Sequence, residues 1–272
     1  MSVKCCLFII FAFFFQTSSW ASPPKGCAST AALVISWNIP QFEKLSEESL
    51  KIVAETINDA SIVGFQGLSS SNKGLQIMSE LDIQLSDLGF LWDYSVSEGT
   101  RDGNELRYVF LWKTRWVKKV STKLTSQLES IQLNDPFIGA FKVQGQSLAL
   151  VNFNLIGRPE IFEERIKQFL ELHQKLSKNQ GALGIFGFWG RSFDAPEFAK
   201  FKENKLLPLI KEPGDLKKNA TDKDYLASGF NNVFFQEANI CATGVIDIVP
   251  SYGLGQVQKI SSHLPLYVWV EL

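Results

Sequence analysis

Histidine and methionine are scarce in this chain, two of each among 272 residues, and cysteine occurs only four times. So few soft ligands leave no Cys/His spacing of the kind that grips a metal. A Walker loop and a serine-nucleophile turn are absent as well. Charge of one dominant sign is also missing: 27 Lys and Arg face 28 Asp and Glu, for a net charge of −1. That balance gives no general attraction to a polyanion, so contact with nucleic acid or phospholipid would need a local basic patch. There is no low-complexity tract, internal repeat or long linker. What is present, 45% hydrophobic and 20% charged residues, suits a folded chain with a sizeable core, as one large domain or two small ones.

No long apolar run crosses the chain either. The N-terminal one, Cys5 to Phe15, falls below the roughly 18 residues that a bilayer span needs. It follows Lys4 and precedes a polar stretch ending Ser19-Trp20-Ala21, the order of regions in a secretory signal peptide cut after Ala21. The expected organisation is therefore a signal peptide at 1–21 and one domain at 22–272, secreted or periplasmic. Losing the signal removes Lys4, Cys5 and Cys6, which leaves a net charge of −2 and two cysteines, Cys27 and Cys241. Export permits these to pair, but spacing in a sequence leaves a disulfide and two buried thiols equally open. Asn219-Ala220-Thr221 is a glycosylation sequon, meaningful in a secreting eukaryote.

"ALVISW" at Ala32 to Trp37 is continuously apolar, as a strand covered on both faces requires. Ser46 can cap a helix in which Leu50, Val53, Ala54 and Ile57 share a face, and "SIVGFQ" follows as a second strand. Further strands are predicted at Tyr108 to Lys113, Phe137 to Val143, Leu148 to Asn154, Leu183 to Phe188, Asn232 to Phe235, Gly244 to Val249 and Pro265 to Val270. A helix spans Glu160 to Leu176, with His173 on its exposed side. Gln144-Gly145-Gln146 makes a hairpin, so the sheets should be mixed. Lys211 to Asp224 is polar and turn-rich and reads as a mobile loop. Lys113, Arg115, Lys118 and Lys119 read as a solvated strand edge.

Seven segments, taken in order, resemble those of the endonuclease/exonuclease/phosphatase family, the deoxyribonuclease I-like fold. "LVISWNI" is similar to its first strand with a Trp-Asn pair, "SIVGFQGL" to the strand ending Gln-Glu, and "RYVFLWKTRWVKKV" to the strand ending Tyr-Arg. "NDPFIGAFKVQGQSLALVNFNLI" resembles the Arg-x-Pro-Phe hairpin ending Asn-x-His, and "ALGIFGFW" falls at Gly-Asp-Phe-Asn. "GFNNVFF" resembles Tyr-Asp-Asn-Ile, and "KISSHLPLYVWVEL" the closing Ser-Asp-His-x-Pro segment. The resemblance implies an α+β fold, a four-layer α/β/β/α sandwich of two packed mixed β-sheets with outer helices. It also implies hydrolysis of a phosphodiester at a divalent cation held by carboxylates, with Asn, Arg and His donors on the phosphoryl group.

Carried over residue by residue, only Asn38 and His263 keep the family's identity. The metal-binding Glu becomes Gly67, the hairpin Arg Asn134, and the His of Asn-x-His Asn154. The Asp and Asn of Gly-Asp-Phe-Asn become Gly187 and Trp189. The Asp of Tyr-Asp-Asn-Ile becomes Asn231, and the Asp of Asp-His becomes Ser262. Losing one electrostatic catalytic group costs about 10² to 10³ in rate, so the family hydrolysis is expected to be absent, and His263 to lack a carboxylate partner. Asp194, Asp222, Asp224 and Asp247 follow no ligand spacing and read as solvated charges. Phe186 and Phe188 read as core. Trp189 is expected to point toward the old cleft mouth, as a plug or as a platform for a ligand, with nearby Trp37 as a second candidate binding residue.

The chain is accordingly expected to be a catalytically inactive relative that binds an unknown protein or small ligand, as a monomer without a cofactor. The alternative is a Mg-dependent endonuclease or phosphoesterase with a rearranged metal site.

Overall fold

A computed structural model describes residues 22–99, 106–124, 136–155, 162–178 and 181–272. The signal-like segment at 1–21 and Asn134 lie outside them. In chain order the elements are β1 (Ala32–Asn38), α1 (Glu47–Ile57), β2 (Ile62–Ser69), α2 (Asn72–Asp87), β3 (Trp92–Val96), β4 (Leu106–Lys113), β5 (Val117–Leu124), β6 (Phe137–Val143), β7 (Gln146–Asn154) and α3 (Phe162–Ser177). They continue with β8 (Ala182–Phe188), α4 (Ala199–Glu203), β9 (Asp215–Thr221), β10 (Asp224–Ala227), β11 (Asn231–Gln236), β12 (Asn239–Val245), α5 (Val249–Tyr252), α6 (Leu254–Ile260) and β13 (Leu266–Glu271). The Ser46 cap is present, its hydroxyl accepting the Ser49 amide at 3.2 Å.

One sheet runs β12-β13-β1-β2-β4-β3 and the other β11-β8-β7-β6-β5. Pairing is parallel at β1/β2 and β7/β8 and antiparallel elsewhere in both sheets. Strand alternation divides the apolar residues into three sets. Val34, Ile62, Phe110, Phe141, Leu150 and Phe186 meet between the sheets. Leu33, Ile35, Trp37 and Phe65 face outward with Val53 of α1, Met78 of α2 and Val257 of α6. Val151, Phe153, Ile185 and Trp189 face the other way, toward Phe169 of α3 and Phe201 of α4. The result is the four-layer α/β/β/α sandwich with mixed sheets.

Several local expectations change. The polar stretch Lys211 to Asp224 is not a loop throughout but contains β9, paired with β10 as a hairpin. The strand expected at Gly244 to Val249 instead covers Asn239–Val245, where it pairs with β13. His173 is buried rather than exposed, and burial pushes its pKa down.

Cys27 and Cys241 form a disulfide with Cα atoms 5.4 Å apart, tying the segment before β1 to edge strand β12. The Ala28 amide donates to Glu271 Oε1 at 2.6 Å beside it. Replacing both cysteines by serine should lower the unfolding free energy by about 2–4 kcal/mol in urea titration. Unchanged stability would mean that the bridge contributes nothing in solution.

Lys113 is not part of a solvated edge. It is 2% exposed, with its ammonium 3.9 Å from the Phe90 ring centroid and 5.3 and 5.2 Å from those of Trp92 and Trp116. Burial pushes its pKa down to about 8, and Asp59 pulls part of the way back. The ring faces offset some of the desolvation. The unfolded chain therefore binds more protons than the folded one above pH ~8, and stability should rise between pH ~8 and ~10 by on the order of 2 kcal/mol. Lys113→Met should flatten that rise in denaturant titrations at the two pH values. A rise of the same size in the variant would assign it elsewhere.

Candidate functional site

A cleft of about 260 Å³ opens where β1, β2, β7 and β8 end, lined by Asn38, Pro40, Gln41, Gly67, Leu106, Asn154, Phe188 and His263. The parallel pairings create it. Asn38 stands beside Gln66 at the ends of β1 and β2, and Asn154 beside Phe188 at the ends of β7 and β8. The sheets are pinned beneath it by two buried amides. Gln66 Nε2 donates to Asn152 Oδ1 at 2.7 Å, and Asn152 Nδ2 donates to the carbonyls of Phe65 and Val109 at 2.9 and 3.2 Å. Asn38 is 5% exposed. Its main-chain carbonyl accepts the Ser261 hydroxyl at 2.7 Å, while its buried side-chain Oδ1 has no hydrogen-bond partner among the described residues.

His263 lies just before β13, held by two main-chain bonds. Its carbonyl accepts the Trp37 indole N–H at 2.8 Å, and its amide donates to Ser261 Oγ at 2.9 Å. Its ring has the carboxylate that the sequence did not reveal: Nδ1 lies 2.8 Å from Asp215 Oδ1. Asn231 Nδ2 is 3.1 Å from both atoms. An amide N–H₂ can only donate, so Asn231 bonds Asp215, and the Nδ1 proton belongs on the imidazole facing the same carboxylate. Asp215 Oδ2 also accepts the Phe230 amide at 3.3 Å. In the neutral imidazole this pairing leaves Nε2 as the acceptor, with no hydrogen-bond partner among the described residues.

The architecture matches solved structures over nearly its whole length. An endonuclease/exonuclease/phosphatase from Bacteroides vulgatus aligns with a TM-score of 0.66 at 13% identity, covering 89% of this chain and 99% of its own. The chain has the endonuclease/exonuclease/phosphatase fold. A mannosyl-6-phosphatase from Bacteroides thetaiotaomicron shares that fold (TM-score 0.64, 14% identity, 89% and 100% covered). So does the human Nocturnin catalytic domain with bound sulfate anion (TM-score 0.62, 14% identity, 89% and 93% covered). Neither a family model nor a curated protein matches the sequence itself.

Within this fold the expected site residues separate. Asn38, Gly67, Asn154 and His263 come together in the cleft, with Asn231 behind His263. Trp37, expected as a binding surface, is 1% exposed and packs in the outer core against Phe65. Trp189 is neither plug nor platform. It is fully buried among Phe153, Phe169, Phe193, Phe198, Phe201 and Phe234, beneath α3 and α4. The reason is strand parity: Leu183, Ile185 and Trp189 face the helices, while Phe186 faces the other sheet and Phe188 the cleft. Phe188 is therefore the cleft aromatic, half-buried rather than core. Ser262 is exposed, and the imidazole takes Asp215 in its stead. Asp194, Asp222, Asp224 and Asp247 are exposed and do not line the cleft. Asp224 pairs with Lys217, and Asp247 accepts the Tyr225 hydroxyl at 2.6 Å.

The divalent cation implied by the resemblance does not fit the described residues. Gly67 has φ +97° at an irregularity in the β2/β4 pairing, and a Cβ there would stand 2.5 Å from the Ile39 carbonyl oxygen. The described lining offers amides, an imidazole and apolar groups but no carboxylate. A hard cation takes oxygen ligands, with carboxylates supplying the negative charge. Among the described residues no group of three or more His, Cys, Asp or Glu is placed to share one.

Proposed function

We propose that the chain is an exported, non-hydrolysing relative of metal-dependent phosphoesterases, and that its cleft binds a ligand instead of cleaving one. The observation that carries this reading is Gly67, which stands where the family's metal-anchoring Glu would be and has no room for a side chain. Export is supported by the signal-like segment, the Cys27–Cys241 bridge and the exposed Asn219 sequon on β9. With residues 22–272 and Mg²⁺ or Mn²⁺, hydrolysis of DNA and of bis(p-nitrophenyl) phosphate should not exceed the protein-free rate. Turnover abolished both by EDTA and by Asn38→Ala with His263→Ala would overturn the reading.

A second reading has one observation in its favour. The His263–Asp215 pair is an intact, oriented acid–base unit facing the cleft, as a Mg-dependent phosphoesterase with a rearranged site would require. The same assay separates the two.

A further inference from the structure

We propose that the cleft takes an uncharged heteroaromatic ring bearing an N–H donor, which lies against Phe188 and donates to His263 Nε2. This inference rests on the binding reading above and names the ligand class for the same cleft. Three observations converge on it.

The first is the acceptor. Asp215 fixes the imidazole through Nδ1 at 2.8 Å, with Asn231 holding the carboxylate from the side. In its neutral form an imidazole so held offers Nε2 as a lone pair of fixed direction at the cleft wall. A ligand must supply a donor to satisfy it.

The second is the wall. The Phe188 and His263 rings lie 5.6 Å apart between centroids, and Phe230 meets Phe188 edge-on at 6.2 Å. With Pro40 and Leu106, Phe188 and His263 line a mainly apolar space of about 260 Å³, large enough for a one- or two-ring compound. Aromatic rings favour offset-stacked or edge-to-face partners. Asn38, 95% buried by its 5% exposure, contributes a lining amide whose Oδ1 has no partner among the described residues. Gln41 at the rim holds φ at +63°, a backbone state that residues with a Cβ adopt at a cost and that concentrates at ligand clamps.

The third is charge. No Lys or Arg is among the described lining residues, and the nearest ionic group behind the imidazole is the Asp215 carboxylate. Among the described lining residues an anionic phosphate would meet no countercharge, and it would stand near a carboxylate, so this wall favours a neutral ligand over an anion.

Benzimidazole, which carries the N–H, and 1-methylbenzimidazole, which lacks it, test the proposal directly. Residues 22–272 are titrated with each while the His263 ring signals are followed by NMR, with inorganic phosphate and glucose as further probes. Benzimidazole should shift His263 and bind at least tenfold more tightly than its methylated form. His263→Phe, which keeps a ring but removes the acceptor, should bind the two equally, and Phe188→Leu should weaken both. Equal affinity of the two probes for the native protein overturns the proposal. So does failure of benzimidazole to bind up to millimolar concentration, or displacement of it by phosphate or glucose. Phosphate seated at His263 would sink this ligand class and leave the binding reading standing, whereas metal-dependent turnover in the hydrolysis assay would remove the binding reading itself.

Discussion

Trp189→Ala should lower the unfolding free energy by about 3–5 kcal/mol and, at roughly 2–4 °C per kcal/mol for a domain of this size, bring Tm down by on the order of 10 °C. The indole is fully buried and touches six aromatic rings with centroids 4.4 to 5.8 Å away, all edge-to-face. Truncation leaves a cavity beneath α3 and α4 that rigid rings cannot collapse to fill. Its Nε1 has no acceptor among the described residues, so Trp189→Phe discards an unsatisfied donor along with the extra ring and should cost under about 1.5 kcal/mol. Benzimidazole affinity at the cleft should be unchanged in Trp189→Phe, because the residue faces the opposite side of its sheet. Thermal denaturation and the cleft titration together check this. A stable Trp189→Ala protein that has lost a ligand would restore the platform role that the packing rejects.

Restoring the family's carboxylates should fail structurally before it can succeed chemically. Gly67→Glu asks a residue with a Cβ to hold φ +97° with that atom 2.5 Å from the Ile39 carbonyl oxygen. The Ile39 amide is itself bonded to the Gln66 carbonyl at 3.0 Å, so the obstructing backbone is tied to the strand it blocks. Gly187→Asp is worse placed, since a Cβ there would run into the Phe153 carbonyl on β7. Each substitution should cost about 3 kcal/mol or more, visible as lost soluble yield or a lowered urea midpoint, without metal-dependent hydrolysis. A stable Gly67→Glu protein with Mg²⁺-stimulated turnover would show that the backbone yields and that the site needed only its acid.

The layered fold was legible in the sequence because its central strands are buried on both faces. Uninterrupted runs such as Ala32 to Trp37 leave little other reading, and Ser46 marks the start of α1 in ordinary capping chemistry. The same continuity hid which side each residue faces. In "GIFGFWGRS" every position but the charged Arg191 suits burial, so nothing in the letters says that Phe188 faces the cleft and Trp189 the helices; only the pairing of β8 with β7 and β11 fixes the parity. α2 was missed because its N-terminal Ser-Ser-Ser-Asn reads as loop and Gly74 weakens the pattern. Asp215 was the larger omission. It lies 48 positions before His263 in a stretch whose polar, turn-rich letters conceal β9, and no local spacing rule joins a carboxylate to an imidazole across that distance.

On the reading proposed above, the cleft of this endonuclease/exonuclease/phosphatase fold holds no divalent cation. Manganese tests this most directly, since the sequence holds just two histidines, one lining the cleft and one buried on α3 itself. Substoichiometric Mn²⁺ added to residues 22–272 should leave the His263 ring resonance as sharp as that of His173. Selective broadening of His263, reversed by EDTA and diminished by Asn38→Ala, would contradict the account and place a divalent cation in the cleft.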